Sequence, residues 1–285
     1  MAKKSNINLS PIEKSDKFKT ISYVILYISL YLLIQAIAQY TILVLYSLFN
    51  NLSLSSVVNG MKNGKFINIL VISSFFSTLV CILLFIKMKW FTLSLTYLKS
   101  RYWTLLLIVG ILGISIIIPI QFFYESLSIE FSDKYQHLFN GIINNPMGYI
   151  IIGIIAPIGE EVIFRGTILH KLLSVFNRDK NWIAIFISAI IFGLVHGNYA
   201  QGIHAFFIGI LLGWMFYRTN SIIPGIILHW VNNTVPFIII KLYPNSYNNK
   251  LLNLFQGNEI SLYSTLIISL IIFIVSLYYL KRHLY

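Results

Sequence analysis

Long apolar runs separated by short polar segments dominate the pattern of this chain. A helix crossing the hydrocarbon core of a bilayer needs about 20 mostly apolar residues. By that rule about eight runs qualify: 21–48, 66–87, 103–124, 147–174, 182–198, 200–218, 221–241 and 260–280. The connection near Asn198 to Gln201 is very short, and Pro224 stands where it would kink the seventh run near its start. The stretch Ser126 to Asn145 is mixed, with Ile129, Phe131, Tyr135, Leu138 and Phe139 among polar residues, the composition of an interfacial helix. The pattern predicts an all-α fold, a polytopic transmembrane helix bundle. It divides into a basic tail at 1–20, three N-terminal spans at 21–124 and an interfacial segment at 125–146. A four-span core follows at 147–241, then a loop, a last span and a basic tail at 242–285.

Composition agrees with that reading. Hydrophobic residues make up 57% of the chain and charged ones 11%, with a mean hydropathy of +0.78. A soluble domain carries about a quarter charged residues, so too little polar surface remains to cover a water-soluble globule. The partner implied is the lipid bilayer. The formal net charge of +12 would suggest nucleic acid in a soluble protein. Here the basic residues fall between apolar runs, no basic–aromatic patch occurs, and no nucleic-acid partner is expected.

Charge also orients the bundle. With eight spans both termini share a side, and that side collects Lys3, Lys4, Lys14, Lys17, Lys19, Lys87, Lys89, Lys99 and Arg101. Arg178, Lys180, Arg218, Lys281 and Arg282 join them, whereas the opposite loops hold Lys62, Lys65, Lys134, Lys241 and Lys250. The positive-inside rule then puts both termini in the cytoplasm. The first run is too long for a signal-peptide core and lacks a small-residue cleavage site, so it reads as an uncleaved span. Cys81, the single cysteine, lies inside an apolar run and reads as a small packed residue.

Seven of the nine acidic residues fall in predicted loops or tails; Glu160 and Glu161 do not. An ionisable group at membrane depth costs about 3 kcal/mol on insertion scales, so two adjacent carboxylates there need a reason. Glu161 and Arg165 stand at i and i+4 with the acid N-terminal, the favourable orientation for a pair on one helix face. Glu160 points about 100° away, and its own i+4 neighbour is the apolar Phe164. Arg165 is thus expected to neutralise Glu161, leaving Glu160 without an in-helix counter-ion, the situation of a general base. His196 follows one turn after Phe192 on the next run. It lies as far beyond Arg178 as Glu160 lies before it, so an antiparallel hairpin sets Glu160 and His196 at similar depth. On the seventh run His229 and Asn233 are again i and i+4, two donors side by side that suit a developing oxyanion. Interhelical polar glue is the plainer use of such a pair. His204 and His170 read as structural, and Gly209 with Gly213 as a close-packing pair.

At these residues the chain resembles the CPBP membrane proteins, also called the Abi family, which include the type II CAAX prenyl endopeptidases. The family pattern is Glu-Glu-x-x-x-Arg, then Phe-x-x-x-His, then His-x-x-x-Asn. This chain has Glu160-Glu161 with Arg165, Phe192 with His196, and His229 with Asn233, in that order. The stretch from Gly213 to Pro224 is similar to the family's approach to its third motif. The resemblance covers roughly 147–240 and implies a glutamate-dependent intramembrane endopeptidase. In such an enzyme Glu160 and His196 would activate a water, His229 and Asn233 would hold the oxyanion, and Glu161, Arg165 and Phe192 would support the site. No cofactor is expected. Zn²⁺ is the alternative, with Glu160, His196 and His229 as its ligands, although no His-Glu-x-x-His signature is present.

Richness in Ile, Asn and Lys suggests a low-GC bacterium, hence the cell membrane and a substrate other than a prenylated protein. A hydrophobic peptide or a membrane protein is the expected substrate. Relatives of this kind are linked to bacteriocin immunity, pheromone maturation and membrane-protein regulation. Two other classes compete. A non-catalytic bacteriocin immunity or membrane scaffold protein would keep its phenotype in Glu160→Gln. A proton-coupled transporter would show pH-dependent flux and inverted repeats. The sequence sets no oligomeric state.

Overall fold

The computed structural model describes residues 17–62, 64–91, 97, 102–129, 133–176, 180–243 and 250–284. Residues 1–16 of the basic tail, together with Lys99, Arg101, Phe131 and Arg178, lie outside the described residues. The elements in chain order are α1 (Lys17–Phe49), α2 (Leu54–Lys62), α3 (Ile67–Lys87), α4 (Trp103–Ser115), α5 (Ile117–Ser126) and α6 (Asp133–Asn144). Next comes a composite helix, α7, made of wide i→i+5 turns at Ile150–Ile155, an α segment at Ala156–Glu160, wide turns again at Glu161–Leu169 and an α turn at His170–Leu173. It is followed by α8 (Asn181–Leu194), α9 (Tyr199–Thr219), α10 (Ile223–Leu242), α11 (Leu251–Leu254) and α12 (Glu259–His283). No strand occurs among the described residues.

Six stretches are long and apolar enough to cross a membrane: α1, α3, α4 with α5 as Trp103–Ser126, α9, α10 and α12. The protein is a polytopic helical bundle. The two remaining expected spans take other forms. Residues 147–174 become the composite α7, whose wide turns interrupt regular α geometry. The run 182–198 is helical only to Leu194, because Gly197 turns the chain at φ 65° and the Asn198 side chain accepts the Gln201 N–H to start α9. His196 therefore sits in the turn beyond α8 rather than on the helix.

Lipid accounts for what the outer helices show. α1 exposes Leu32, Leu33 and Ile37, and α12 exposes Ile267, Ile271 and Ile274. Apolar faces this extensive are stable only against hydrocarbon. Inside, Phe85, Ile163, Phe164, Ile185, Phe192, Leu212 and Leu228 belong to one buried cluster around α7. The α8–α9 hairpin closes tightly on small residues: a Cβ on Gly193 would fall 2.7 Å from the Gly202 carbonyl oxygen. α1 pairs with α3, while α4 lies against α10 and α12. α7 is thereby enclosed by α3, α8, α9 and α10.

Candidate active site

Pro157 sets the local geometry of α7. Proline carries no N–H, so it gives nothing to the carbonyl of Ile152, its partner in an i→i+5 pattern. The Ala156 N–H, in the same wide-turn pattern, reaches Ile151. Asn233 of α10 supplies the missing donor, its Nδ2 donating to the Ile152 carbonyl at 3.0 Å. A polar side chain in one helix thus satisfies backbone freed by a proline in another, as a bilayer interior demands.

One turn further along α7, the two glutamates diverge. Glu161 is sealed, with no exposure, and Arg165 Nη1 donates to its Oε1 at 2.9 Å. His229 of α10 reaches both acids: Nδ1 donates to Glu161 Oε1 at 3.2 Å, and Nε2 lies 3.7 Å from Glu160 Oε2. Two carboxylates therefore face one guanidinium and one imidazole, a set whose charges balance when the imidazole carries a second proton. Glu160 retains 19% side-chain exposure and accepts no hydrogen bond among the described residues.

Phe192 is the hub of this cluster. Arg165 lies over its ring face, with Cζ 4.1 Å from the centroid. His196 meets the ring edge-on at 4.9 Å, His229 at 5.9 Å and Phe164 at 5.0 Å. Arg165 Nε and Nη2 have no hydrogen-bond partner among the described residues, so the negative face of the ring is what compensates the buried guanidinium there. His196 Nδ1 donates to the Phe192 carbonyl at 2.7 Å. A carbonyl only accepts, so Nδ1 holds the hydrogen and a neutral His196 presents its lone pair at Nε2.

Glycines give the charged pair its space. A Cβ on Gly225 would stand 2.7 Å from Glu161 Oε2, and one on Gly209 3.3 Å from Arg165 Nη2. A cavity of about 190 Å³ opens beside Glu160, lined by Tyr31 and Gln35 of α1, Leu70, Val71, Ser74 and Thr78 of α3, Ile142 of α6, and Ile151, Ile152, Ala156 and Gly159 of α7.

The seven residues singled out in the sequence thus fall in one region, in a different arrangement from the simplest one. His229 bridges the two glutamates, and one Asn233 N–H is engaged by the Ile152 carbonyl. Sequence reasoning did not single out Asn232 and read His204 as structural. The Asn232 amide donates to His204 Nε2 at 2.9 Å, so His204 belongs to the polar shell around the site. Tyr31 and Gln35 were equally silent, since α1 is far away in sequence. For a Zn²⁺ ion the fit is poor: among the described residues no group of three His, Cys, Asp or Glu side chains is arranged to hold a metal.

Fold and site together define a multi-pass membrane protein with a glutamate–histidine cluster among its helices. Residues 142–235 match the family described as type II CAAX prenyl endopeptidase Rce1-like. The chain is 29% identical over 148 residues to "Putative membrane peptidase YdiL" of Bacillus subtilis strain 168, a match covering 47% of this chain and 59% of that protein. It is 31% identical over 93 residues to "UPF0177 protein YxdF" of Lactococcus lactis strain IL1403, covering 32% of this chain and 49% of the relative. The chain thus spans about half the length of the curated relatives it matches. No solved structure matches it. All three motifs, from Glu160 to Asn233, lie within the matched segment.

Proposed function

We propose that the protein is an intramembrane endopeptidase that hydrolyses a peptide bond in a hydrophobic or membrane-associated peptide, in the cell membrane of a bacterium. The observation that carries the reading is the division of labour between adjacent glutamates. Glu161 is sealed and salt-bridged, whereas Glu160 faces a cavity with no hydrogen bond from the described protein. A purely structural cluster has little use for that second carboxylate, held only by a 3.7 Å approach of His229 and costly at membrane depth.

The chemistry follows from the chain's own groups. Glu160 and the Nε2 lone pair of His196 hold a water, and Glu160 takes one of its protons as the water oxygen bonds to the carbonyl carbon. The negative charge moves onto the carbonyl oxygen, where His229 Nε2–H and the second N–H of Asn233 donate to it. The C–N bond then breaks, and the proton on Glu160 passes to the leaving nitrogen. One water is consumed: its second proton stays on the new hydroxyl, so a carboxylic acid and an amine are produced. Glu161 and Arg165 hold His229 in place, and Phe192 fixes both imidazoles.

The relatives from Bacillus subtilis and Lactococcus lactis support a bacterial setting, and the charge asymmetry of the loops supports cytoplasmic termini. The test is hydrolysis of hydrophobic bacterial peptides by the full chain in liposomes, with Glu160→Gln and His196→Ala beside it, each with and without a chelator. Cleavage lost in both variants and indifferent to chelation is expected. Loss on chelation with recovery on Zn²⁺ would replace bare water by a metal-bound one. Inert protein whose variants all still complement a deletion strain would leave only scaffolding.

A further inference from the structure

Resting on the peptidase reading, we infer that the cavity beside Glu160 is the pocket that chooses the cleavage site, by taking one large apolar side chain next to the scissile bond. Its wall is graded. At one end stand Leu70, Val71, Ile142 and Ile151; at the other stand Thr78, Gly159 and the Glu160 carboxylate. Val71 and Ile151 are themselves buried in one apolar cluster with Ile67. From Ile152 to Glu160 the helix rises about 12 Å, so the pocket runs alongside two turns of α7.

Size and closure agree. A volume of about 190 Å³ is slightly more than the roughly 150 Å³ cavity that admits benzene, and far too narrow for a helix about 10 Å across. At the carboxylate end α3 and α7 touch: a Cβ on Gly159 would fall 2.3 Å from Thr78 Cγ2. The pocket therefore admits a side chain and stops the backbone at Glu160, where hydrolysis occurs.

Backbone entering a bilayer protein must be unwound to be cut, and its freed N–H and C=O groups then need partners. α1 and α3 provide them at the polar end. Ser77 Oγ donates to Gln35 Oε1 at 2.8 Å, holding the Gln35 amide at the cavity wall beside Tyr31 and Ser74. Six of the lining residues, all on α1 and α3, lie outside 142–235, the segment that matches the family. Half of the pocket wall thus comes from the part of the chain that the family match does not cover.

To test this, a library of hydrophobic peptides is incubated with the full chain in liposomes, and cut sites are read by mass spectrometry. Leu, Met and Phe should be enriched about tenfold or more over Ala and Gly at one position adjoining the cut, the discrimination one or two methylenes supply in an apolar pocket. Ala156→Leu, which shortens the pocket, should shift that ratio at least tenfold toward small residues. Leu70→Ala, which deepens it from the opposite wall, should shift it toward Phe and Trp. Cleavage whose preference neither substitution moves would overturn the pocket and leave the peptidase standing, as for a cavity filled only by a lipid tail. Wild-type protein that cuts nothing in the library would remove both.

Discussion

Adjacent glutamates with opposite surroundings give the residue scale its clearest outcomes. Glu160→Gln keeps the shape and removes the proton acceptor, so peptide hydrolysis should fall by about 10²- to 10⁴-fold. The thermal midpoint should stay near that of the wild type, because the carboxylate is partly exposed and its approach to His229 is long, at 3.7 Å. Glu161→Gln should behave in the opposite way. It leaves Arg165 buried without its counter-ion, and breaking such a pair costs about 3–5 kcal/mol. The expected result is a large drop in unfolding midpoint in detergent, with activity falling alongside the folded fraction. Equal midpoints in the two variants would contradict this division of roles. Spacing alone exposes part of the arrangement, since residues four apart on a helix are neighbours. Nothing in the spacing reveals that His229 lies against both acids, because that contact spans 68 residues.

Helices are where the sequence pattern and the structure part most visibly. The run 147–174 is apolar throughout, and hydropathy cannot distinguish regular α turns from the wide turns of α7. Pro157 was the available signal, and its consequence appears only where Asn233 meets the Ile152 carbonyl. Asn233→Ala should therefore destabilise the fold by about 1–3 kcal/mol by leaving that carbonyl unsatisfied. Adding Pro157→Ala restores a backbone donor, so the double variant should lose less than the two single losses combined, a coupling read directly from a double-mutant cycle. Additive losses would break the link between the two residues. The end of α8 was legible in retrospect: Gly197 and Asn198 are a stop and a start in immediate succession. They were outweighed by an apolar pattern running on to Val195. At α10, Gly225 is held small by Glu161. Gly225→Ala should lower the unfolding midpoint, because its Cβ would stand 2.7 Å from a sealed carboxylate oxygen.

At the scale of the whole molecule, the bundle surrounds its polar cluster with lipid-facing helices and a single buried thiol. Cys81 has no exposure. A maleimide should leave it unmodified in the native protein and label it upon denaturation, which makes it a reporter of unfolding for every variant above. Against that silent background, Lys19→Cys and His283→Cys should both be labelled from the same face of the membrane in vesicles. Labelling from opposite faces would rule out an even number of crossings.

Hydropathy, a property of composition and order alone, determined the membrane and the helical class, because continuous apolar runs of about 20 residues satisfy their backbone in a bilayer as helices. Short-range spacing determined the local pair of Glu161 and Arg165 and the three motifs. Tertiary structure alone decided which glutamate is sealed and which meets a cavity, that Phe192 joins four side chains, and that α1 contributes Tyr31 and Gln35 to the wall beside Glu160. The reason is physical. Burial, cavities and charge pairing between helices are set by how separate helix faces pack, and identical hydropathy is compatible with many packings.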